Sequence, residues 1–189
     1  MSKGGDVQGL EYAVDIVICI DATGSMVSRI EDVKKEAIRF HDDLTEVLEA
    51  KDKYIGGLRV RVLAFRDFYH DGPLALQESR FFSLPAEKED FSTFVGALNA
   101  AGGGDAPENG LEARALAIRS DWSTVTAKRR HIIVMWTDTS AHELEKNAGL
   151  KPSNYPQSMP TNFDELTDLW EGQAMNRAAK RLILYAPDA

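Results

Sequence analysis

Ala13-Val14-Asp15-Ile16-Val17-Ile18-Cys19-Ile20, followed at once by Asp21-Ala22-Thr23-Gly24-Ser25, is the stretch on which the fold turns. The first eight residues are almost continuously apolar and rich in β-branched types. Such a run reads as a strand buried on both faces, as in a parallel sheet covered by helices. The next five residues are small and oxygen-bearing, so the strand ends in a turn able to present side-chain and backbone oxygens. Beyond it, apolar residues recur at Met26, Ile30, Val33, Ala37, Phe40, Leu44 and Val47. Steps of three and four mark one face of a long amphipathic helix. Glu31, Lys34, Lys35, Asp42, Asp43 and Glu46 fall on its other face and read as solvated surface.

Working outward, Gly56-Gly57 leads into a second strand over 58–65, where arginines alternate with apolar residues in the first half. That alternation predicts exposure on one face there. A third strand is predicted near 77–82, after the turn residues Asp71-Gly72-Pro73, and the short connection implies antiparallel pairing with the second. Helices are predicted over 88–99 and 107–119, a fourth strand over 131–137, a helix over about 162–180 capped by Thr161 or Asn162, and a fifth strand over 182–185. Lys151 to Pro160, with three prolines, reads as a surface loop. Strands alternating with helices predict a doubly wound, Rossmann-like α/β fold: a mostly parallel sheet with one antiparallel edge strand, flanked by helices. The chain divides into a flexible tail over 1–11 and one domain over 12–189.

Composition narrows function. The 189 residues carry a formal charge of −8, from 30 acidic and 22 basic residues. Phosphate recognition needs clustered Lys and Arg, so nucleic acid is not an expected partner. The densest basic run is Lys128-Arg129-Arg130. No segment reaches the roughly 18 apolar residues that span a bilayer, and residues 1–9 lack the apolar stretch of a signal peptide. A single cysteine, Cys19, lies within the first strand, which fits a reducing compartment; a cytoplasmic setting is expected.

In open parallel sheets ligands bind beyond the carboxyl ends of the strands. Asp21, Thr23 and Ser25 follow the first strand, Arg66-Asp67 the second, and Asp138-Thr139-Ser140 the fourth; Gly102-Gly103-Gly104-Asp105 leads into a helix. If the first and fourth strands are neighbours, three oxygen-bearing loops meet at one rim. Carboxylates and hydroxyls without nearby sulfur suit a hard cation. Magnesium, with manganese or calcium as alternatives, keeps waters that a partner's carboxylate can replace. Asp67 is read as an acceptor that orients the first loop from behind, and Arg66 as its ion-pair partner. His142 is either solvent-facing or at the rim. Trp136 and Trp170 are expected in the core, while Trp122 reads equally as surface or packing.

The run Asp15-Ile-Val-Ile-Cys-Ile-Asp21-Ala-Thr23-Gly-Ser25-Met26 resembles the metal-ion-dependent adhesion site (MIDAS) motif, Asp-x-Ser/Thr-x-Ser, of von Willebrand factor A and integrin I domains. Together with Phe65-Arg66-Asp67 and Gly102-Gly-Gly-Asp105-Ala-Pro-Glu108, it is closer still to the alpha-kinase-associated and bacterial type. The resemblance covers about 12–188 and implies a non-catalytic module. In such a module a divalent cation on Asp21, Thr23, Ser25 and Asp138 captures an Asp or Glu carboxylate of a protein partner. Many family members have Thr in the Gly-rich loop where this chain has Asp105. That residue is either a further ligand, adding negative charge against the cation, or the cap of the next helix. The family also continues through another helix and a sixth strand after the strand near Tyr185, so the domain is expected to be shortened at its C-terminus. Two rival readings stand: a magnesium-dependent phosphohydrolase with an aspartyl nucleophile, and a structural domain with a vestigial metal site. Partner identity and oligomeric state are not legible.

Overall fold

The computed structural model describes residues 11–50, 54–104, 107–124, 128–145, 147, 149–175 and 179–186. Among the described residues six strands and four α-helices follow in the order β1 (Glu11–Asp21), α1 (Ile30–Glu49), β2 (Tyr54–Phe65), β3 (Leu76–Glu78), β4 (Phe82–Leu84), α2 (Lys88–Ala97), α3 (Gly110–Ile118), β5 (Arg129–Trp136), α4 (Phe163–Glu171) and β6 (Lys180–Tyr185). They build one sheet, ordered β3-β2-β1-β5-β6, with β4 also on β2. The β1–β2, β1–β5 and β5–β6 pairs are parallel, and β3 and β4 run antiparallel to β2.

β1 sits at the centre and is mostly apolar because both of its faces are covered, its buried Asp15 being paired with Arg59. Val14, Ile16, Ile18 and Ile20 pack with Ile30, Val33 and Ala37 of α1 and with Phe91 and Val95 of α2. Val17 and Cys19 point the other way, against Ala113, Ala117 and Ile118 of α3 and Leu166 of α4. Burial pushes the Cys19 thiol up to about 12, which makes it an inert core atom.

Register delivers the site. Asp21 pairs with Phe65, Ile20 with Trp136, and Trp136 with Tyr185, so the parallel strands finish level and their following loops rise from one edge.

Several sequence expectations change in detail. The predicted third strand is broken in two at Ser79. Its N–H donates to Val62 O (2.9 Å), while its side-chain Oγ, rather than a carbonyl, accepts from Val62 N (2.9 Å). A single 3-10 turn, Gly24–Ser28, precedes α1 instead of a helix running from Met26. Lys34 does not face solvent: it is 7% exposed and donates to Leu98 O (2.9 Å) and Glu31 (2.8 Å). The alternating arginines of β2 are half-covered, since Arg59 forks onto the buried Asp15 (2.9 and 2.6 Å). The last helix stops at Glu171, where Gly172 turns to extended backbone, well short of residue 180. Its start is capped by Asn162, which accepts from Glu165 N (2.8 Å), and Glu165 reaches back to Thr161 N (2.8 Å). Trp122 is a packing residue, 5% exposed and stacked on the His131 ring at 4.9 Å.

Candidate metal centre

At the end of β1 the Asp21 side chain is wholly buried. Its Oδ1 accepts from Thr23 N (3.0 Å) and Thr23 Oγ1 (2.6 Å), and its Oδ2 from Thr137 Oγ1 (2.9 Å). Thr23 Oγ1 lies 3.1 Å from Ser25 Oγ, which donates to Asp138 Oδ1 (2.8 Å). One chain of contacts therefore joins Thr137, Asp21, Thr23, Ser25 and Asp138. Four of the five candidate ligands read from the sequence are in that chain. The fifth, Asp105, lies outside the described residues.

Thr137 was not singled out from sequence. The signal was available: it is the first residue past β5, and the Ile20–Trp136 register sets it beside Asp21.

Burial raises the Asp21 carboxyl above its ordinary value, and the nearby Asp138 adds to the rise, against the lowering effect of hydrogen bonds from Thr23 and Thr137. Asp21 is thus a desolvated carboxylate for which a cation would be the natural compensation. The donor set is all oxygen: carboxylates at Asp21 and Asp138, and hydroxyls at Thr23 and Ser25. That chemistry fits magnesium, manganese or calcium. Among the described residues, no three His, Cys, Asp or Glu side chains group so as to hold a metal; the rim is built from two carboxylates and hydroxyls.

The Gly-rich loop closes one wall. Gly24 N donates to Gly102 O (3.0 Å), and Ala101 N to Ala22 O (2.9 Å). Gly102 and Gly103 have φ of +73° and +78°, the left-handed region where a Cβ is strained. At Gly103 a Cβ would also stand 2.9 Å from Glu108 Oε1 and 3.2 Å from Thr23 Cβ. Glu108, the last residue of the Gly-rich motif, carried no assigned role from sequence. It is buried, and the Glu108 N–H donates to Ser140 O (3.0 Å), which fastens the helix approach to the Asp138 loop. The resulting recess of about 290 Å³ is lined by Thr23, Ser25, Gly102, Gly103, Glu108 and Asp138, among others.

Asp67 is buried and accepts from Tyr69 N (2.6 Å) and the His70 ring (2.6 Å). It holds the 67–71 turn, whose His70 ring covers Gly104 and whose Asp71 Oδ2 accepts from Gly103 N (2.9 Å). Its influence on the rim therefore runs through the Gly-rich loop. Arg66 does not pair with Asp67. It donates to Ala22 O (2.9 Å), Leu74 O (2.5 Å) and Asn99 O (2.7 Å), bonding the first loop to two other segments. His142 is partly exposed, with Nε2 4.0 Å from Asp67 Oδ2.

No protein-family model matches the chain. The alpha-protein kinase vwkA of Dictyostelium discoideum is 24% identical over 159 residues, 82% of this chain but 23% of that relative, so the chain spans about a quarter of the kinase's length. Solved structures that share the fold include two at 15% identity. The open conformation of the pilus adhesin SpaC from Lactobacillus rhamnosus GG superposes with a TM-score of 0.52 over 78% of this chain and 18% of that one. The vWF domain of the type V pili tip protein Mfa5 from Porphyromonas gingivalis does so at 0.50, over 71% and 42%. The fold is that of a von Willebrand factor A domain. No helix among the described residues is long and apolar enough to cross a membrane.

Proposed function

We propose that this von Willebrand factor A fold is a protein-interaction module which holds a divalent cation, most simply magnesium, on Asp21, Thr23, Ser25 and Asp138. The cation would present an open coordination position to an Asp or Glu carboxylate of a partner protein. The observation that carries this reading is the continuous oxygen chain from Thr137 through Asp21, Thr23 and Ser25 to Asp138. The two hydroxyls tie the rim together and leave their remaining lone pairs for a metal, while Asp21 supplies buried negative charge. Asp105 is either a further ligand or a helix cap. Adhesin and pilus-tip relatives of the fold are consistent with an interaction role, and the lone buried thiol with a cytoplasmic one.

Phosphohydrolase chemistry is a weaker reading. An aspartyl nucleophile of that kind works with a second Asp two residues on as acid and base, and that position is Thr23 here. A scaffold with a vestigial metal site is separated by experiment.

The deciding measurement is thermal unfolding in chelator and then in about 10 mM magnesium or manganese, for wild type and Asp21→Ala. For a dissociation constant of about 0.1 mM, linkage gives roughly 2.7 kcal/mol of added stability, or about 5–10 °C in a domain of this size. A rise in wild type that is lost in Asp21→Ala supports the module. No rise in either protein overturns cation binding at that affinity.

A further inference from the structure

Lys151 to Pro160, the stretch with three prolines, lies as a strap against the turn that follows β2. Two buried side chains fasten it. The Tyr155 hydroxyl donates to Glu112 Oε1 of α3 (2.6 Å) and its ring rests against Phe68, 5.6 Å between centroids. Met159 joins the core cluster of Ala113, Ala117 and Ile118. Pro152, Pro156 and Pro160 each fix a backbone torsion, which leaves the strap little freedom around those anchors.

Next to Tyr155, in the turn closed by Tyr155 N donating to Pro152 O (2.9 Å), stands Asn154. Its side-chain nitrogen donates to Phe68 O (3.1 Å) and to Gly72 O (2.7 Å), one carbonyl at each end of the 68–72 turn. Both amide hydrogens are thereby used, and the two ends are held at a fixed separation. What the bracketed turn holds is the Gly-rich loop. Asp71 accepts at Oδ2 from Asp67 N (3.1 Å) and from Gly103 N (2.9 Å). Its carboxylate also fills the space a side chain at Gly102 would need. Gly102 O in turn accepts from Gly24 N (3.0 Å), and Gly24 stands between the candidate ligands Thr23 and Ser25. Hydrogen bonds thus lead from strap to turn, from turn to Gly-rich loop, and from that loop to the ligand loop. Gly72 adjoins Asp71 and Gly103 adjoins Gly102, so each link between bonds is one peptide unit long.

We infer that Asn154 is a positioning residue for the metal centre: through the 68–72 turn and the Gly-rich loop it sets where Gly24, and with it the Thr23 and Ser25 hydroxyls, stand. Lys151 to Pro160 is then a control segment, and whatever moves it alters cation affinity. Ser153 and Gln157 leave it open to contact from solvent. The inference rests on the proposed function for its cation, whereas the bonded path belongs to the fold without metal.

The test uses the whole chain with Asn154→Ala and Asn154→Asp, which both remove the donors, the second without loss of volume. Asn162→Ala is the control, since it deletes the cap of α4 and lowers stability away from the path. Amide exchange in EDTA, followed by NMR, reads the two N–H groups of the path, Gly103 and Gly24. One net hydrogen bond corresponds to about two- to tenfold in an equilibrium constant, so both should exchange about tenfold faster in the Asn154 variants, normalised to β1 amides, and not in Asn162→Ala. Affinity for manganese, read by electron paramagnetic resonance of the free ion, should weaken by about three- to tenfold. Asp71→Ala should have the same effect, and adding Asn154→Ala to it should do little more, because residues acting in series are not additive. Exchange at Gly103 and Gly24 no faster than in Asn162→Ala overturns the relay, whether or not metal binds. So does unchanged manganese affinity in a folded Asn154→Ala, because a brace that only adds stability lowers the midpoint in EDTA and leaves affinity alone. Additive effects of Asn154→Ala and Asp71→Ala overturn it too. Absence of manganese binding in wild type sinks the cation reading alone, and exchange still decides whether the strap sets the ligand loop.

Discussion

Arg66→Met should be among the most damaging single changes in this chain. Arg66 is 5% exposed and its guanidinium donates to three main-chain carbonyls, Ala22 O at 2.9 Å, Leu74 O at 2.5 Å and Asn99 O at 2.7 Å, and to Gln77 Oε1 at 3.1 Å. Methionine conserves much of the volume and none of the donors. Each charge-assisted bond contributes about 1.5–3 kcal/mol, and a buried carbonyl left without a donor costs about 1–3 kcal/mol. The three losses overlap, because the segments can relax and admit water, so about 3–5 kcal/mol is the expected total. In a domain of this length that corresponds to a midpoint lower by roughly 6–20 °C. Denaturation in chelator measures this without any contribution from a bound cation. Arg66→Lys should recover only a small part, since the three carbonyls are met by three different guanidinium nitrogens and a single ammonium nitrogen cannot lie within bonding distance of all of them. The same variants should show a weaker magnesium-induced rise, because Ala22 lies between Asp21 and Thr23. A midpoint within about 2 °C of wild type for Arg66→Met would refute the view that this side chain braces the rim.

Other outcomes follow from the same geometry. Gly103→Ala forces a Cβ into a backbone with φ of +78° and against Glu108 and Thr23, and should cost about 1–2 kcal/mol by denaturant unfolding while blunting the magnesium response. His131 is buried beneath Trp122 and burial lowers its proton affinity, so the unfolded chain takes up a proton first as pH falls. Stability is therefore lost as pH drops below about 6.5 toward the depressed native value, and melts between pH 7.5 and 5 should flatten in His131→Phe. Burial raises the Glu112 carboxyl, opposed by the Tyr155 hydroxyl that donates to it at 2.6 Å. Its contribution runs the other way, declining as pH rises above about 4.5, so Glu112→Gln should gain stability relative to wild type at pH 7.5 more than at pH 4. An unchanged difference between those two pH values would count against a buried charge there.

The architecture was legible because the first strand states its environment directly. Apart from Asp15, residues 13–20 are apolar at both parities, and only a central strand covered on two sides needs that. That Asp21, Thr23, Ser25 and Asp138 would meet was legible for a related reason: each ends, or lies close after, one of two buried parallel strands. What escaped reading depends on distant partners. Lys34 lies on the polar side of α1 by periodicity, but α2 ends close enough for its ammonium to reach Leu98 O. Arg66 beside Asp67 invites an ion pair, yet successive residues at a strand end point apart, and the carbonyls of three segments claim the guanidinium. Thr137 matters only through register with β1. Gly172 was the one local signal passed over, since glycine after Glu171 already marked a helix end.

The central place of β1 also bears on how the protein is made. Its two sheet neighbours begin at Tyr54 and Arg129, and Ser25 meets Asp138 across 113 positions of chain. A ribosome must therefore extrude most of the domain before the rim can exist at all. Until β5 emerges, one long apolar edge of β1 stays open to chaperones or to misplaced strands. The oxygen-lined rim is therefore a late product of folding, completed only after the sheet has closed around β1, and not a nucleus for it.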